Sequence, residues 1–267
     1  MERLEKTFAR ASERGETVLV AYLTAGYPAL AETGPLIEAV CSAGADIIEL
    51  GVPFSDPLGD GPLIQETTHA ALERGVTAAA VLEIVAGARE NGVDVPIMLM
   101  GYCNPFLRYG LEQLYADAAA AGADGFIVPD LPAHEADDWL AAARTHDLGQ
   151  VFFSAPGSSP ERLRATAERS RGFLYALAAN GVTGIREELD PGIDAYLSRV
   201  GEATGSTLPV CVGFGISRPR HITALRGRAA GVIVGSALLR AIGDEQTPAG
   251  RILAASKLIG ELKAACR

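Results

Sequence analysis

The 267 residues carry 33 Asp and Glu against 23 Lys and Arg, and the formal net charge of −10 excludes a general binder of nucleic acid or anionic membranes, which needs clustered cations. Hydrophobic residues make up 48%, and 30 Gly and 15 Pro suit many short elements around a sizeable core, which excludes a disordered chain. The start, MERLEKTFARASER, is charged where a secretion signal is apolar, and runs such as AAAVLEIVAGA are too short to span a bilayer, so a soluble cytoplasmic protein is expected.

In chain order, helical spacing first predicts a helix near residues 2–14. Short apolar runs then predict strands at 17–26 (TVLVAYLTAG), 45–51 (ADIIELG), 95–101 (VPIMLMG) and 124–130 (DGFIVPD). Four more follow at 150–156 (QVFFSAP), 171–178 (RGFLYALA), 208–215 (LPVCVGFG) and 231–237 (GVIVGSA). Amphipathic stretches such as LEQLYADAAAAGA separate them, and a last helix is expected near 248–265, on the outside of the fold. Eight βα units of about 33 residues fit a closed parallel barrel. The expectation is therefore an α/β TIM (β/α)8 barrel, one domain over 1–267, with extra N-terminal and C-terminal helices. A doubly wound sheet is the alternative, but no GxGxxG follows the first strand.

A barrel strand should be nearly all apolar, so Glu49 at the far end of IIELG needs a specific reason. Active sites of this architecture lie at that end of the strands, which makes Glu49 a candidate. The loop that follows, VPFSDPLGDGP, adds Asp56 and Asp60, each equally readable as an ordinary turn former. Gly213, Gly215, Gly235 and Ser236 stand where strands seven and eight turn into helices, the usual phosphate position of a barrel. Plain turn chemistry explains one such loop as well, but both together less easily. Tyr175 reads as a site residue or a barrel-core aromatic, and the long NGVTGIREELDPG segment has the composition of a lid. Cys41, Cys103, Cys211 and Cys266 lack CxxC spacing, and His69, His134, His146 and His221 show no HExxH, so no metal is expected, with incidental thiols and solvated histidines as the ordinary reading. Phosphate-binding proton-transfer chemistry on a small substrate is as far as the residues alone lead.

Along nearly its whole length the chain also resembles the alpha subunits of tryptophan synthase, through LTAG (23–26), ELGVPFSDPLGDGP (49–62), IQ (64–65), MGYCNPFLRYG (100–110), DGFIVPDLP (124–132), GVTG (181–184), VGFGIS (212–217) and VGSAL (234–238). The resemblance implies a lyase that cleaves indole-3-glycerol phosphate to indole and glyceraldehyde 3-phosphate without a cofactor of its own. It implies Glu49 as the general acid/base at indole C3, Asp60 as the partner of the indole N–H, and Tyr175 beside the glycerol chain. Thr183 would support Asp60, and Gly184, Gly213, Gly215, Gly235 and Ser236 would surround the phosphate. Tyr22, Met100, Ile127, Phe153, Phe214 and Ile233 match wall positions of the pocket. Asp56, Pro57, Asn104, Pro105, Asp130 and Pro132 fall in segments that face a beta subunit, which would hold pyridoxal phosphate (PLP) in an alpha2-beta2 complex.

Two positions depart from the family pattern. Ala178 replaces a serine before the lid, and Gly59 stands where Ala is usual beside Asp60. Both bear on loop closure rather than on the chemistry. Among other phosphate-binding barrels, indole-glycerol-phosphate synthase would be expected to use a Lys, yet Lys6, Lys257 and Lys263 all lie in terminal helices. A stand-alone lyase releasing free indole, or a weakly active subunit that activates a beta partner, are the remaining alternatives.

Overall fold

The computed structural model describes residues 1–178, 190–205, 207–213 and 215–267. Its strands are β1 (Val18–Thr24), β2 (Ile47–Gly51), β3 (Ile97–Met100), β4 (Gly125–Ile127), β5 (Gly149–Ser154), β6 (Leu174–Leu177), β7 (Val210–Gly213) and β8 (Gly231–Val234). They pair in sequence order, all parallel, and β8 closes on β1. Each lies within or one residue beyond a predicted run. β4 stops early because Pro129 has no N–H to continue a ladder.

The register fixes the barrel's shape. Tyr22, Glu49, Met98, Gly125 and Gly149 form one slanted row across β1 to β5. Phe153, Tyr175, Cys211, Gly231 and Val18 continue it from β5 back to β1. Phe153 stands four residues above Gly149 and Val18 four below Tyr22, so one circuit displaces the pairing by eight residues, the stagger of a (β/α)8 barrel.

Around the barrel run the helices α1 (Glu2–Arg14), α2 (Leu30–Ser42), α3 (Pro62–Glu73), α4 (Ala78–Glu90), α5 (Cys103–Tyr109), α6 (Leu111–Ala121), α7 (Asp137–Thr145), α8 (Pro160–Arg169), α9 (Ile193–Thr204), α10 (Pro219–Leu225), α11 (Ser236–Gly243) and α12 (Pro248–Ala265). Because side chains alternate along each strand, two cores result. Outward residues such as Leu19, Ile48, Leu99, Phe152 and Val232 pack under the helices. Inward residues such as Val20, Ile47, Met98, Val151 and Ile233 fill the barrel. Each fully buried Leu, Ile or Phe contributes about 1.5–3 kcal/mol, so the two cores share the stabilisation.

The terminal helices serve different ends. α1 plugs the barrel's lower mouth: Leu4 and Phe8 join the interior core, and Phe8 meets Phe173 at 6.0 Å between ring centroids. α12 lies outside against α2 and α11, where Lys263 reaches Asp46 at 2.7 Å and Asp46 in turn accepts the Leu19 N–H. Plugging and stapling close the lower face, which leaves the upper ends of the strands for chemistry.

The histidines correct one expectation. His69 and His134 are solvated, but His221 on α10 is buried, and its Nδ1 accepts the Ser217 N–H at 3.3 Å. A buried imidazole needs such a bond, and the folded loop beside it supplies this one. Among the described residues no helix is long and apolar enough to cross a membrane.

Candidate active site

In β2, alternation sends Ile48 and Leu50 under the helices and Ile47 and Glu49 into the barrel. Glu49 is 1% exposed, between Tyr22 of β1 and Met98 of β3. One of its carboxyl oxygens, Oε2, has no hydrogen-bond partner. Burial first, and the nearby Asp60 second, raise its pKa to about 8.

Asp60 arrives from the loop after β2. The loop folds back on itself through Asp60 N–H to the Pro57 carbonyl at 3.0 Å, and Gln65 of α3 donates to the Asp60 carbonyl at 2.8 Å. The carboxylate is 4% exposed: Tyr102 donates to Oδ2 at 2.8 Å, while Oδ1 has no partner. Burial raises Asp60 to about 6, against the lowering effect of the Tyr102 bond. The influence of the pair is one-sided for a physical reason. Glu49 is still neutral while Asp60 titrates, whereas Asp60 is already charged when Glu49 does. Between about pH 6 and 8 the site therefore holds one protonated acid and one carboxylate, a donor and an acceptor in one apolar chamber.

Tyr175 faces the same chamber from β6, stacked on Phe153 with ring centroids 4.5 Å apart. Its phenol lies across Gly213, where an added Cβ would stand 2.3 Å from the hydroxyl oxygen. Burial, then the charges of Glu49 and Asp60, hold the Tyr175 hydroxyl protonated. Tyr22, Met100, Ile127 and Ile233 belong to the interior core, with Phe153 packed against it.

The sequence pattern of the family described as tryptophan synthase alpha chain matches residues 8–267. The tryptophan synthase alpha chain of Roseiflexus sp. strain RS-1 is 48% identical over 254 residues, covering 95% of this chain and 96% of that one. A solved structure of Mycobacterium tuberculosis tryptophan synthase superposes with a TM-score of 0.90 at 40% identity, covering 99% of this chain and 98% of that one. A Legionella pneumophila tryptophan synthase subunit alpha superposes at 0.89 with 32% identity, over 99% and 98% of the two chains. The chain belongs to the tryptophan synthase alpha chain family.

Within this alpha chain the remaining sequence-derived positions separate clearly. Gly235 and Ser236 stand at the start of α11, which has no side-chain cap, so its first N–H groups are available to an anion. Gly235 lies against Tyr22, where an added Cβ would stand at ordinary contact distance, 3.5 Å from the Tyr22 Cβ and 3.6 Å from its ring. Gly215 holds a left-handed φ of 96° in loop seven. Thr183, Gly184 and Phe214 lie outside the described residues.

Asp56 is exposed, Pro57 buried, and Leu58 between them and Asp60 is 83% exposed. Asn104 and Pro105 open α5, and Asp130 and Pro132 are exposed on the loop after β4. Asp130 also accepts the Cys103 N–H at 2.9 Å, tying that loop to α5. All six positions occupy the rim on the β2 to β4 side of the chamber, away from its floor.

Sequence reading missed Tyr102 and Gln65, which hold Asp60. Tyr102 follows Met100 by two positions, a period that points both inward, and this was the available signal. Gly59 gains a role beyond backbone freedom. Its N–H donates to the Tyr102 oxygen at 3.1 Å, and an added Cβ would come within 3.2 Å of that oxygen. Ala178 is buried, and its N–H extends the ladder to the Gly213 carbonyl at 2.9 Å.

Proposed function

We propose that this chain, as one TIM-barrel domain over residues 1–267, performs the lyase reaction of tryptophan synthase, cleaving indole-3-glycerol phosphate to indole and glyceraldehyde 3-phosphate in tryptophan biosynthesis. The observation that carries the residue roles is the pairing of a protonated Glu49 with an ionised Asp60 in one buried chamber. Direct cleavage would expel a poor aryl carbanion. Glu49 instead gives its proton to indole C3, which leaves positive charge centred on the ring nitrogen. Asp60 faces that nitrogen and stabilises the charge. The adjacent glycerol hydroxyl then returns a proton to the Glu49 carboxylate, its oxygen forms the aldehyde carbonyl, and the electrons of the broken carbon–carbon bond restore the indole. Tyr175 lies along the glycerol chain, and the start of α11 with loop seven receives the phosphate.

The chain needs no cofactor of its own; PLP belongs to the beta subunit, the partner in an alpha2-beta2 complex, and the assembly works in the cytoplasm. The rim bearing Asp56, Pro57, Asn104, Pro105, Asp130 and Pro132 is the docking face on this reading. The exposed Leu58 supports it, since a leucine in water gains most from being covered.

Beta subunit should raise the rate of indole release by about tenfold, because docking orders the loop that carries Asp60. That demands only about 1.4 kcal/mol of extra transition-state stabilisation. The check is steady-state indole release by the chain alone and with saturating cognate beta subunit. A fast chain indifferent to beta subunit would make it a stand-alone lyase, and a chain that binds beta subunit yet never forms indole would make it an activator only.

A further inference from the structure

Three stretches of the rim meet on one buried hydroxyl. Tyr102 stands between the end of β3 and the first residue of α5, and it is 5% exposed. Its phenol donates to Asp60 Oδ2 at 2.8 Å and accepts the Gly59 N–H at 3.1 Å, so its one proton and a lone pair both serve the loop after β2. Its ring lies beside Phe54, from the start of the same loop, with centroids 5.5 Å apart. The loop is thus closed on Tyr102 at three points.

Each side of this joint leads straight to the rim. Leu58, 83% exposed, precedes Gly59; the exposed Asn104 follows Tyr102 by two residues; and the exposed Asp130 accepts the Cys103 N–H at 2.9 Å. Gly59 lies between Tyr102 and Pro129, where an added Cβ would stand 3.2 Å from the phenol oxygen and 3.6 Å from the proline Cβ. Below, the buried Phe106 of α5 fills the space over Gly101 and meets Phe126 edge-on at 5.4 Å, which fixes α5 to the barrel. The clamp also selects an oxygen of the acid. With Oδ2 held, the buried Oδ1 is left without a partner, and a buried acceptor in that state favours a ligand that brings an N–H.

Resting on the lyase reading above, we propose that Tyr102 is the positioning residue through which the beta subunit acts on the reaction: cover placed on Leu58 and Asn104 fixes Gly59 and Tyr102 against each other, and the phenol they share turns Asp60 so that its free oxygen faces the indole nitrogen. On this account the clamp is formed part of the time in the isolated chain and persistently in the complex. Removing the hydroxyl therefore costs more in the complex than alone.

A donor to the ionised form of an acid lowers its pKa, and the Tyr102 bond does so for Asp60. Burial and the Asp60 charge keep the Tyr102 phenol itself protonated. Glu49 of β2, Tyr22 of β1 and Tyr175 of β6 also feel the Asp60 charge, and burial holds both tyrosines neutral. The Cys103 thiol, on the rim side, is pushed up to about 12 by burial and Asp130. Of these groups only the two acids titrate between about pH 5 and 9.

The test is indole release over that range by wild type and Tyr102→Phe, each alone and with saturating beta subunit. Phe keeps the ring and its place beside Phe54. Beta subunit should raise kcat of the variant by only about two- to threefold where it raises wild type about tenfold. With beta subunit present, the acid limb of kcat/KM should also move up by about half to one pH unit. A tyrosine that merely supports the fold would cost the same factor alone and in the complex and leave the limb in place. Such a uniform loss, a larger response to beta subunit than that of wild type, or superimposable limbs would each overturn the proposal. If Tyr102→Phe melts abnormally by circular dichroism, Phe54→Leu carries the test: it leaves both hydroxyl bonds but loosens the ring that makes them, and it should shrink the response to beta subunit by a smaller factor, an unaltered response overturning the proposal. A wild type that forms indole but ignores beta subunit would overturn it as well, with the lyase reading intact. A wild type that forms no indole under either condition would instead remove the lyase reading.

Discussion

Glu49→Gln loses at least about a hundredfold in indole formation while the barrel stays folded, the scale of effect expected when a general acid/base is removed. Gln keeps the size and one acceptor of the side chain but has no proton to give to C3. The variant also separates chemistry from stability. Burial and Asp60 raise Glu49 from 4.5 to about 8, so across that window the native state holds a proton that the unfolded chain releases. Wild-type stability therefore falls as pH rises from about 4.5 through 8. A neutral amide has no such dependence, so Glu49→Gln should gain melting temperature relative to wild type between pH 5 and 9. Steady-state assays and thermal melts over that range check both halves, and near-normal turnover would remove the role given to Glu49.

Asp60→Asn should be impaired on the same scale, for a different reason. The amide oxygen can still accept the Tyr102 hydroxyl, so the loop keeps its anchor, but no negative charge remains to meet the cation on the indole nitrogen. The loss belongs in kcat more than in KM, because that charge develops only in the transition state. A second consequence follows from the charge of Asp60 being one cause of the raised Glu49 pKa. In Asp60→Asn the limb set by Glu49 should move to lower pH. Kinetics at several pH values measure both effects, and a variant with wild-type kcat would assign the indole nitrogen to another group.

How much of this was legible in the chain depends on how local the signal was. The eight strands stood out as apolar runs, and α1 and α12 as helical spacing, because burial on a barrel's two faces is written into each segment. Glu49 was legible as a charge in a strand that should have none. Asp60 was ambiguous, since a turn and a buried acid look alike until Tyr102 is seen to hold it, 42 residues further on. The family resemblance, rather than any residue pattern, separated those readings.

Other facts exist only across strands. Nothing near Gly51 in the chain says that the Tyr22 phenol will lie on it, and nothing near Gly213 names Tyr175. The register brings each pair together. His221 read as solvated because its burial depends on how α10 sits against loop seven. Gly59 read as backbone freedom beside Asp60, yet its N–H is engaged by the tyrosine that positions the acid.

The central claim is that one buried acid keeps its proton while its neighbour gives one up. It is tested most directly by the pH dependence of kcat/KM for indole release by the wild-type chain with beta subunit. The rate should rise as Asp60 ionises near pH 6 and fall as Glu49 deprotonates near pH 8, the two limbs belonging to the coupled pair. A rate that kept climbing through pH 9 would contradict a protonated Glu49 as the acid, and a rate already full at pH 4.5 would contradict a buried Asp60 that must first lose its proton.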